Sequence, residues 1–373
     1  MLNQIKTWLL DTKLERTEVY RIGTVFVMLS HENSEEALVR RAGIFRERFL
    51  EPWIVSGVHD RFSIRCIASI GMVRGRYIQD EMRAIIMRTL NMNEAGERPF
   101  AVYDEESDSH LKRMRYLRSK LIDSIYADMK GFSVNFHPII DIKSNRWAGA
   151  EALCRWTMDG QNIAPSEFIP VVEQINLIAQ LDNWVHKTAM KECHAHGFST
   201  KDFFLDVNFS PSQVLDESVV QTIRETSLST GFPLESLILE ITESQRMRFD
   251  EQSFSAIEQL KEEGVRVSLD DFGTGFSSIE NLIKLSAVVL KTDKILVDDI
   301  ENDSSRVLLM QTLINLAHEL GMKIVVEGVE RQTQYEIIKK LGADYIQGYF
   351  FSKPLTMEQF SKEAWRFSDA PAQ

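Results

Sequence analysis

Polar and acidic side chains follow a series of apolar, strand-like segments in the second half of this 373-residue chain. In chain order these residues are Glu151, Asn208, Glu240 with Glu243, Asp270 with Asp271, Lys291 with Asp293, Glu327 and Gln347. Singly, each has a simpler explanation, because a carboxylate at a strand end is usually solvated and an Asp or Asn there often caps a turn or helix. Together, seven successive strand ends at one rim would bring several carboxylates close to one another. Bound cations would relieve the repulsion between these carboxylates. The pattern therefore predicts a metal site.

The ligand types indicate which metal this site would take. Carboxylate and amide oxygens without Cys or clustered His favour Mg²⁺ or Mn²⁺ over zinc. The adjacent Asp270 and Asp271 could serve two ions about 4 Å apart, a pair that activates water and stabilises the leaving oxygen of a phosphodiester.

The segment DDFGTGFSS, which starts at Asp270, follows a predicted strand and opens a predicted helix. Gly273 and Gly275 permit a tight turn there. A glycine loop that cradles phosphate is the alternative, but the spacing matches neither GxGxxG nor GxxxxGK[ST]. We interpret the segment as an active-site loop that a neighbouring carboxylate holds.

Strands alternate with helical patterns from about Phe132 onward, and this alternation would position the polar residues. The candidate strands are FSVNFHPIIDI, WAGAEALCRW, FFLDVNFS, SLILEIT, VRVSLD, AVVLKTD, KIVVEG and DYIQGYF, with helical patterns such as PSEFIPVVEQINLIAQL and SRVLLMQTLINLAHELG between them. Eight strands over about 230 residues fit a (β/α)8 barrel better than an open doubly wound sheet, which periodicity alone does not exclude. The short turn 143–146 is too tight for a helical crossover, so the first two strands should be antiparallel.

The chain divides into three predicted parts. Residues 1–104 indicate a smaller α/β domain with strands near Val19–Leu29 and Phe62–Val73, a helix between them, a second helix over 77–92 and a closing strand PFAVYD. Residues 105–130 are charged, with apolar positions at threes and fours, which is typical of a connecting helix or of a helix packed on the next domain. Residues 131–373 form the predicted barrel domain.

Composition restricts location and partners. A formal charge of −12 argues against a nucleic-acid polymer, whose binding requires clustered Lys and Arg. The three cysteines, Cys66, Cys154 and Cys193, form no CxxC pair and predict buried thiols rather than disulfides or a zinc site. Without a long apolar run or a secretory leader in the sequence, we expect a cytoplasmic protein.

The chain from about Phe132 to Leu355 resembles the EAL-domain phosphodiesterases, which hydrolyse the bacterial second messenger cyclic di-GMP. The matching segments are EALCRW, VNFSP, LEITES, DDFGTGFSS, LKTD, VVEGVE and YIQGYFFSKPL. The resemblance implies a TIM-type barrel that opens cyclic di-GMP to linear pGpG with Mg²⁺ or Mn²⁺ at a two-metal site.

The resemblance also implies a role for each matching residue. Glu151, Asn208, Glu240 and Asp270 would ligate one metal, with Asp270 and Asp271 serving the second. Lys291 and Asp293 would orient water and phosphate, Glu327 would act at the metal site or as general base, and Gln347 would position the site. The remaining residues would hold the glycine loop (Glu243) or contact substrate (Arg155, His137, Leu153 and Pro354).

Some positions depart from the family pattern. His137-Pro138-Ile139 stands where members commonly carry Gln-Pro-Ile, which changes one expected base or ribose contact. Before and within the lysine motif, Ser286, Val289 and Thr292 replace the usual Pro, Asp and Ile. None of these changes removes an expected metal ligand.

The first domain resembles the later part of a GGDEF cyclase domain. Where that family has its acidic hairpin this chain has Arg21-Ile22-Gly23-Thr24-Val25-Phe26, without either acidic residue, and the family's first strand and helix are missing. The resemblance therefore implies a truncated, degenerate domain with a regulatory or scaffolding role rather than a cyclase.

Two functions remain open on the sequence: a cyclic di-GMP hydrolase, or a weakly catalytic receptor that signals through a protein partner. The family resemblance also implies a homodimer formed through the barrel, and the truncated first domain suggests that a longer parent protein carries a sensor upstream.

Overall fold

The computed structural model divides into two compact units, Met1–Leu117 and Arg118–Gln373, with the division inside a helix. It describes residues 2–12, 17–22, 25–30, 34–50, 53–54, 61–62, 68–71, 100–103, 105–210, 213, 218–242, 251–272 and 285–368. No helix among these residues has the length and apolar character that a bilayer crossing requires.

The first unit contains short strand pairs and amphipathic helices. Its elements are α1 Leu2–Thr12, β1 Thr17–Ile22, β2 Val25–Ser30, α2 Glu35–Leu50, β3 Trp53–Ile54, β4 Arg61–Phe62, β5 Ala68–Gly71 and β6 Phe100–Tyr103. Strands β1 and β2 pair antiparallel, β5 and β6 pair parallel, and Trp8 of α1 meets Phe45 of α2 edge to face at 5.5 Å between ring centroids. The predicted helix over 77–92 and Cys66 lie outside the described residues. Helix α3, Glu105–Tyr126, follows β6.

The second unit is a closed, mixed barrel of eight strands with a short ninth strand appended. Its strands are β7 Phe132–Asp141, β8 Arg146–Met158, β9 Gln161–Ile163, β10 Phe204–Asn208, β11 Leu237–Thr242, β12 Arg266–Phe272, β13 Val289–Thr292, β14 Lys323–Val326 and β15 Tyr345–Ile346. The pairing runs from β10 through β15 to β7 and β8, and β8 pairs with β10 to close the circle. Strand β7 is antiparallel to both of its neighbours, and the other barrel pairs are parallel.

Helices alternate with these strands as the apolar periodicity predicts. They are α4 Pro165–Gln174, α5 Ile178–Ala195, α6 Val219–Thr230, α7 Glu251–Glu262, α8 Ser304–Glu319, α9 Gln332–Leu341 and α10 Met357–Ser368. The continuous pattern over 165–181 forms two helices, because Asn176 adopts a left-handed φ of 56° that ends the first one.

Of the predicted buried thiols, Cys193 is buried and Cys154 is half-buried.

An apolar cluster fills part of the barrel interior. Its members are Ile139, Phe204, Ile238, Val289 and Val325. Gly149 faces the Phe204 ring, and a Cβ on Gly149 would come within 2.6 Å of that ring, so the cluster depends on a residue without a side chain there.

Candidate active site

A charged group of side chains stands next to the apolar cluster on the inner barrel face. Because side chains alternate between the faces of a strand, the residue two positions after a cluster member points inward as well. The residues two positions after Phe204, Ile238, Val289 and Val325 are Asp206, Glu240, Lys291 and Glu327. The cluster therefore supports a charged layer towards the carboxyl ends of the strands, where barrel enzymes place their active sites.

Lys291 lies at the centre of this layer. Its Nζ is 2.7 Å from Glu240 Oε2 and 2.8 Å from Glu327 Oε1. Glu151 Oε2 and Asp206 Oδ2 lie farther away, at 3.6 and 3.8 Å. The Lys291 side chain has no exposed surface, so one fully buried ammonium faces four carboxylates that come from four different strands or strand ends.

Burial and charge oppose each other in the pKa values of this group. Burial alone would lower the pKa of Lys291, but the charges of the surrounding Glu151, Glu240 and Glu327 raise it well above its ordinary value. Burial raises the pKa of Glu240 well above its ordinary value, and it raises that of Glu327 to about 8 although Lys291 opposes the shift. Lys291 is therefore a permanent cation, whereas Glu327 can take up or release a proton near neutral pH.

The Asp270-Asp271 pair owes its arrangement to an irregularity in β12. The register with β13 shifts between Leu269 and Phe272, and Asp271 adopts a left-handed φ of 57°. Adjacent side chains of a regular strand face opposite sides, whereas a bulge can redirect one of them. Asp270 interacts with Lys291 and Glu240. Burial, with the nearby charges of Asp270 and Asp293, raises the pKa of Asp271 to about 6.

Gln347 directly follows β15 and belongs to the same network. Its Nε2 donates a hydrogen bond to Glu151 Oε2 at 2.9 Å, and both side chains are buried. Its main-chain N–H donates to the Val326 carbonyl, which fixes Gln347 against the end of β14. Gln347 therefore orients one oxygen of Glu151 in the layer around Lys291.

Asn208 ends β10 in register with Glu240, with an exposed side chain. Its main-chain carbonyl accepts a hydrogen bond from His186 Nε2 at 2.8 Å, and the His186 ring stacks on Phe209. Burial lowers the pKa of His186 to about 4, so the ring is neutral at physiological pH. These contacts place Asn208 at the rim beside the carboxylate cluster.

The predicted substrate contacts lie along β7 and β8. His137 pairs in register with Glu151, its Nε2 lies 3.2 Å from the Ser352 carbonyl, and burial lowers its pKa. Arg155 is half-buried and donates to the Cys154 carbonyl at 2.9 Å. Leu153 is half-buried on the same strand, and the Pro354 carbonyl accepts a hydrogen bond from Asn135 at 3.4 Å.

The oxygen atoms around Lys291 suit a hard divalent cation. Buried oxygens beside Lys291 that receive no hydrogen bond from the described part of the chain include Asp206 Oδ2, Asp270 Oδ1 and Gln347 Oε1, and Glu327 Oε1 has only its ion pair with Lys291. Carboxylates outnumber the single ammonium, and these unsatisfied atoms beside Lys291 are oxygens, so the residues fit Mg²⁺ or Mn²⁺. Among the described residues, no three His, Cys, Asp or Glu side chains form a ready-made metal cluster, and the Lys291 ammonium lies 2.7 Å from Glu240 Oε2.

The structure thus brings together Glu151, Glu240, Lys291, Glu327 and Gln347, with Asp270 beside them. The predicted residue Glu243 and the glycine-rich segment after Phe272 lie outside the described residues. Sequence reasoning missed Asp206, which is fully buried and whose pKa burial raises to about 6. The available signal was its position two residues before Asn208, on the same face of an otherwise apolar strand.

A closed α/β barrel with titratable side chains at the carboxyl ends of its strands is the architecture of barrel enzymes. Residues 120–354, more than half of the chain, match the model of the EAL domain. The chain therefore belongs to the EAL-domain family.

Two curated relatives and one solved structure illustrate the similarity. The chain is 34% identical over 232 residues to the signaling protein YkoW of Bacillus subtilis, an alignment that covers 62% of this chain and 29% of YkoW. It is 28% identical over 343 residues to the bifunctional diguanylate cyclase/cyclic di-GMP phosphodiesterase MucR of Pseudomonas aeruginosa, covering 90% of this chain and 49% of MucR. The chain thus spans less than half the length of either relative.

The solved structure is that of the PaMucR phosphodiesterase in complex with c-di-GMP. It superposes with a TM-score of 0.61 at 31% identity and covers 65% of this chain and 99% of the solved chain. The family thus includes cyclic di-GMP phosphodiesterases similar to this chain in sequence and in fold.

Proposed function

We propose that this chain hydrolyses cyclic di-GMP to linear pGpG in a reaction that depends on Mg²⁺ or Mn²⁺. The observation that carries the proposal is the buried cluster around Lys291, which combines an excess of carboxylates, unsatisfied oxygens and one fixed cation at the mouth of an EAL-family barrel. Charge of this kind is costly to bury and serves a ligand that carries compensating charge.

The metal ligands would come from four strands, β8, β10, β11 and β12. Glu151, Asn208, Glu240 and Asp270 would hold one ion, and Asp270 with Asp271 would hold a second. Such ions neutralise phosphate charge and lower the pKa of water, which is the chemistry that phosphodiester hydrolysis requires.

The chain's own side chains would prepare the reacting groups. Lys291 and Asp293 would orient the attacking water and the scissile phosphate. Glu327, whose pKa burial raises to about 8, would accept the proton that the water loses. Gln347 would keep Glu151 in place through its hydrogen bond, and Glu243 would hold the glycine loop.

Substrate contacts would come from β8 and the neighbouring segments. Arg155 stands two pleats along β8 from Glu151 on the same face, so its guanidinium would meet a phosphate of the substrate. Leu153, His137 and Pro354 would form the wall beside it. The test of this wall is His137→Gln, which should change KM for cyclic di-GMP and leave kcat nearly unchanged.

The direct experiment incubates the purified chain with cyclic di-GMP and Mg²⁺ or Mn²⁺ and follows pGpG by chromatography. Product should form with metal and stop on chelation with EDTA. Glu151→Ala and Asp270→Ala should abolish turnover, whereas Asp344→Ala, at the opposite end of the barrel, should retain it. Metal-dependent turnover that survives both Glu151→Ala and Asp270→Ala would refute the ligand assignment.

A receptor without useful turnover is the second candidate. The observation that favours it is that Lys291 lies among the carboxylates and no ready metal cluster is formed by the described side chains. Calorimetric binding of cyclic di-GMP with no pGpG under either metal would support the receptor and reject the hydrolase.

For the first unit we propose a degenerate GGDEF-like domain with a regulatory or scaffolding role. The alignment with MucR extends over 90% of this chain, whereas that with YkoW covers 62%, which supports a relationship beyond the barrel. We expect no consumption of GTP; formation of cyclic di-GMP from GTP would contradict this role.

We also propose that the chain forms a homodimer through the barrel and that it is cytoplasmic. Helix α8 exposes Leu308 and Leu309, with 69% and 44% of their surfaces accessible, and the proposed dimer interface would cover them. Sedimentation velocity should report a dimer for the chain and a monomer for Leu308→Glu.

A further inference from the structure

Asp206 is a carboxylate in an unusual place. It lies inside the barrel with no exposed surface, between the fully buried Leu205 and Val207. In register it pairs with Ile238, one pleat deeper than the pair of Asn208 with Glu240. The side chain therefore sits on the inner side of the charged cluster, away from the rim.

The contacts of Asp206 point to Lys291. Its Oδ1 accepts a hydrogen bond from Ser268 Oγ at 3.2 Å, and its Oδ2 lies 3.8 Å from Lys291 Nζ. Oδ2 receives no hydrogen bond from any described residue. Ser268 orients the carboxylate, and the ammonium of Lys291 is its nearest positive charge.

Stability does not account for this arrangement. Burying a carboxylate with one unsatisfied oxygen is unfavourable, and a small neutral side chain would fill the same space without that cost. Glu240, Glu327 and Glu151 already surround Lys291, and two of them are proposed metal ligands. Lys291 would be repelled by divalent cations bound at the rim and would share Glu151 and Glu240 with them.

We propose that Asp206 is a positioning residue for Lys291. Its carboxylate holds the ammonium from the inner side of the barrel, so that Lys291 stays beside Glu240 and Glu327 when cations bind at the rim. The proposal deepens the hydrolase assignment and, for its kinetic consequence, rests on it.

The test compares Asp206→Asn, which keeps the shape and an acceptor for Ser268, with Ser268→Ala, which keeps the charge but removes its orienting bond. Ser236→Ala is the matched control, because Ser236 is also a buried hydroxyl, bonded to the Thr200 carbonyl near the start of β11. At saturating Mn²⁺, kcat should fall roughly 10- to 100-fold for Asp206→Asn, less for Ser268→Ala, and not for Ser236→Ala. KM for cyclic di-GMP should stay within about twofold, since Asp206 does not reach the rim.

A second readout needs neither metal nor substrate. In a ¹H–¹⁵N spectrum of lysine ammonium groups, the buried Lys291 should give a protected signal that is missing in Lys291→Met. That signal should shift or broaden in Asp206→Asn and stay unchanged in Ser236→Ala. If the wild-type chain hydrolyses nothing, the proposed function fails, and this spectrum alone decides whether Asp206 anchors Lys291.

Three results would overturn the proposal. One is an unchanged Lys291 signal in Asp206→Asn. Another is a shifted signal with kcat unaltered in an active enzyme. The third is a loss of Mn²⁺ affinity as large as that of Asp270→Ala with kcat restored at saturating metal, which would make Asp206 a metal ligand instead.

Discussion

Two lysine–carboxylate groups lie at opposite ends of the barrel. At the carboxyl ends of the strands, Lys291 is fully buried among four carboxylates. At the other end, Lys323 begins β14 with 59% of its side chain exposed and pairs with Asp344 at 2.6 Å. The lysine–carboxylate distances are thus similar in a buried and in an exposed group. The difference in burial decides the role of the charges in each group.

The exposed group has a plain structural role. Asp344 accepts hydrogen bonds from His318 Nε2, Lys323 Nζ and the main-chain N–H of Ile324, which ties α8 and β14 to the start of β15. Water screens these charges, so each bond contributes little. In the buried group the excess of negative charge is not screened, which makes it suitable for binding cations and phosphate.

The largest expected effect comes from removing the buried ammonium. Lys291→Met should lower turnover of cyclic di-GMP by roughly 10²–10⁴-fold. Without metal it should also reduce the free energy of unfolding by about 3–5 kcal/mol, because four buried carboxylates lose their counter-ion. Turnover assays and urea denaturation in EDTA measure the two effects. Near-normal turnover would refute the role assigned to Lys291.

Divalent metal should stabilise the buried end of the barrel. At a free Mn²⁺ concentration 100 times its Kd, the free energy of unfolding should rise by about 2.7 kcal/mol. Urea denaturation with and without Mn²⁺ measures the increment. Asp270→Ala should lose it while Asp344→Asn retains it; an increment of equal size in both variants would place the metal elsewhere.

Asp344→Asn should lower the free energy of unfolding by about 1 kcal/mol and leave turnover unchanged, since it weakens two charge-assisted hydrogen bonds. Burial raises the pKa of Asp344, but the bonds from Lys323, His318 and Ile324 outweigh it and the net shift is downward. A lowered folded-state pKa stabilises the fold above the unfolded-state value and loses that contribution as pH falls through the folded value. The difference between wild type and variant should therefore shrink as pH falls below the ordinary pKa of 3.8 and vanish once pH is below the lowered folded-state value. A difference that persists or grows in acid would contradict this sign.

Lys323→Met, the matched partner of Lys291→Met, should have the smallest effect. We expect a loss of about 0.2–1 kcal/mol in unfolding free energy, further reduced in high salt, and unchanged turnover. Denaturation at two salt concentrations and the pGpG assay measure this. A loss as large as that of Lys291→Met would mean that burial does not separate the two groups.

Much of the barrel was predictable because its signals are local. The apolar runs that alternate with helical patterns located the eight strands, and the polar residues that follow those runs located the rim. The division of the helical pattern at Asn176 was not predictable, since an Asn at that point fits both a continued helix and a left-handed break.

The sequence by itself determined the order of strands and helices, the family and the residue types at the rim, because each depends on neighbouring residues. Only the tertiary structure decided that Lys291 faces carboxylates from β8, β10, β11 and the end of β14 at once. It also decided that Asp271 adopts a left-handed conformation where the register of β12 with β13 shifts, and that Asp206 lies beneath the cluster. Barrel closure and strand register bring these distant residues together, and no local pattern in the chain encodes the resulting distances.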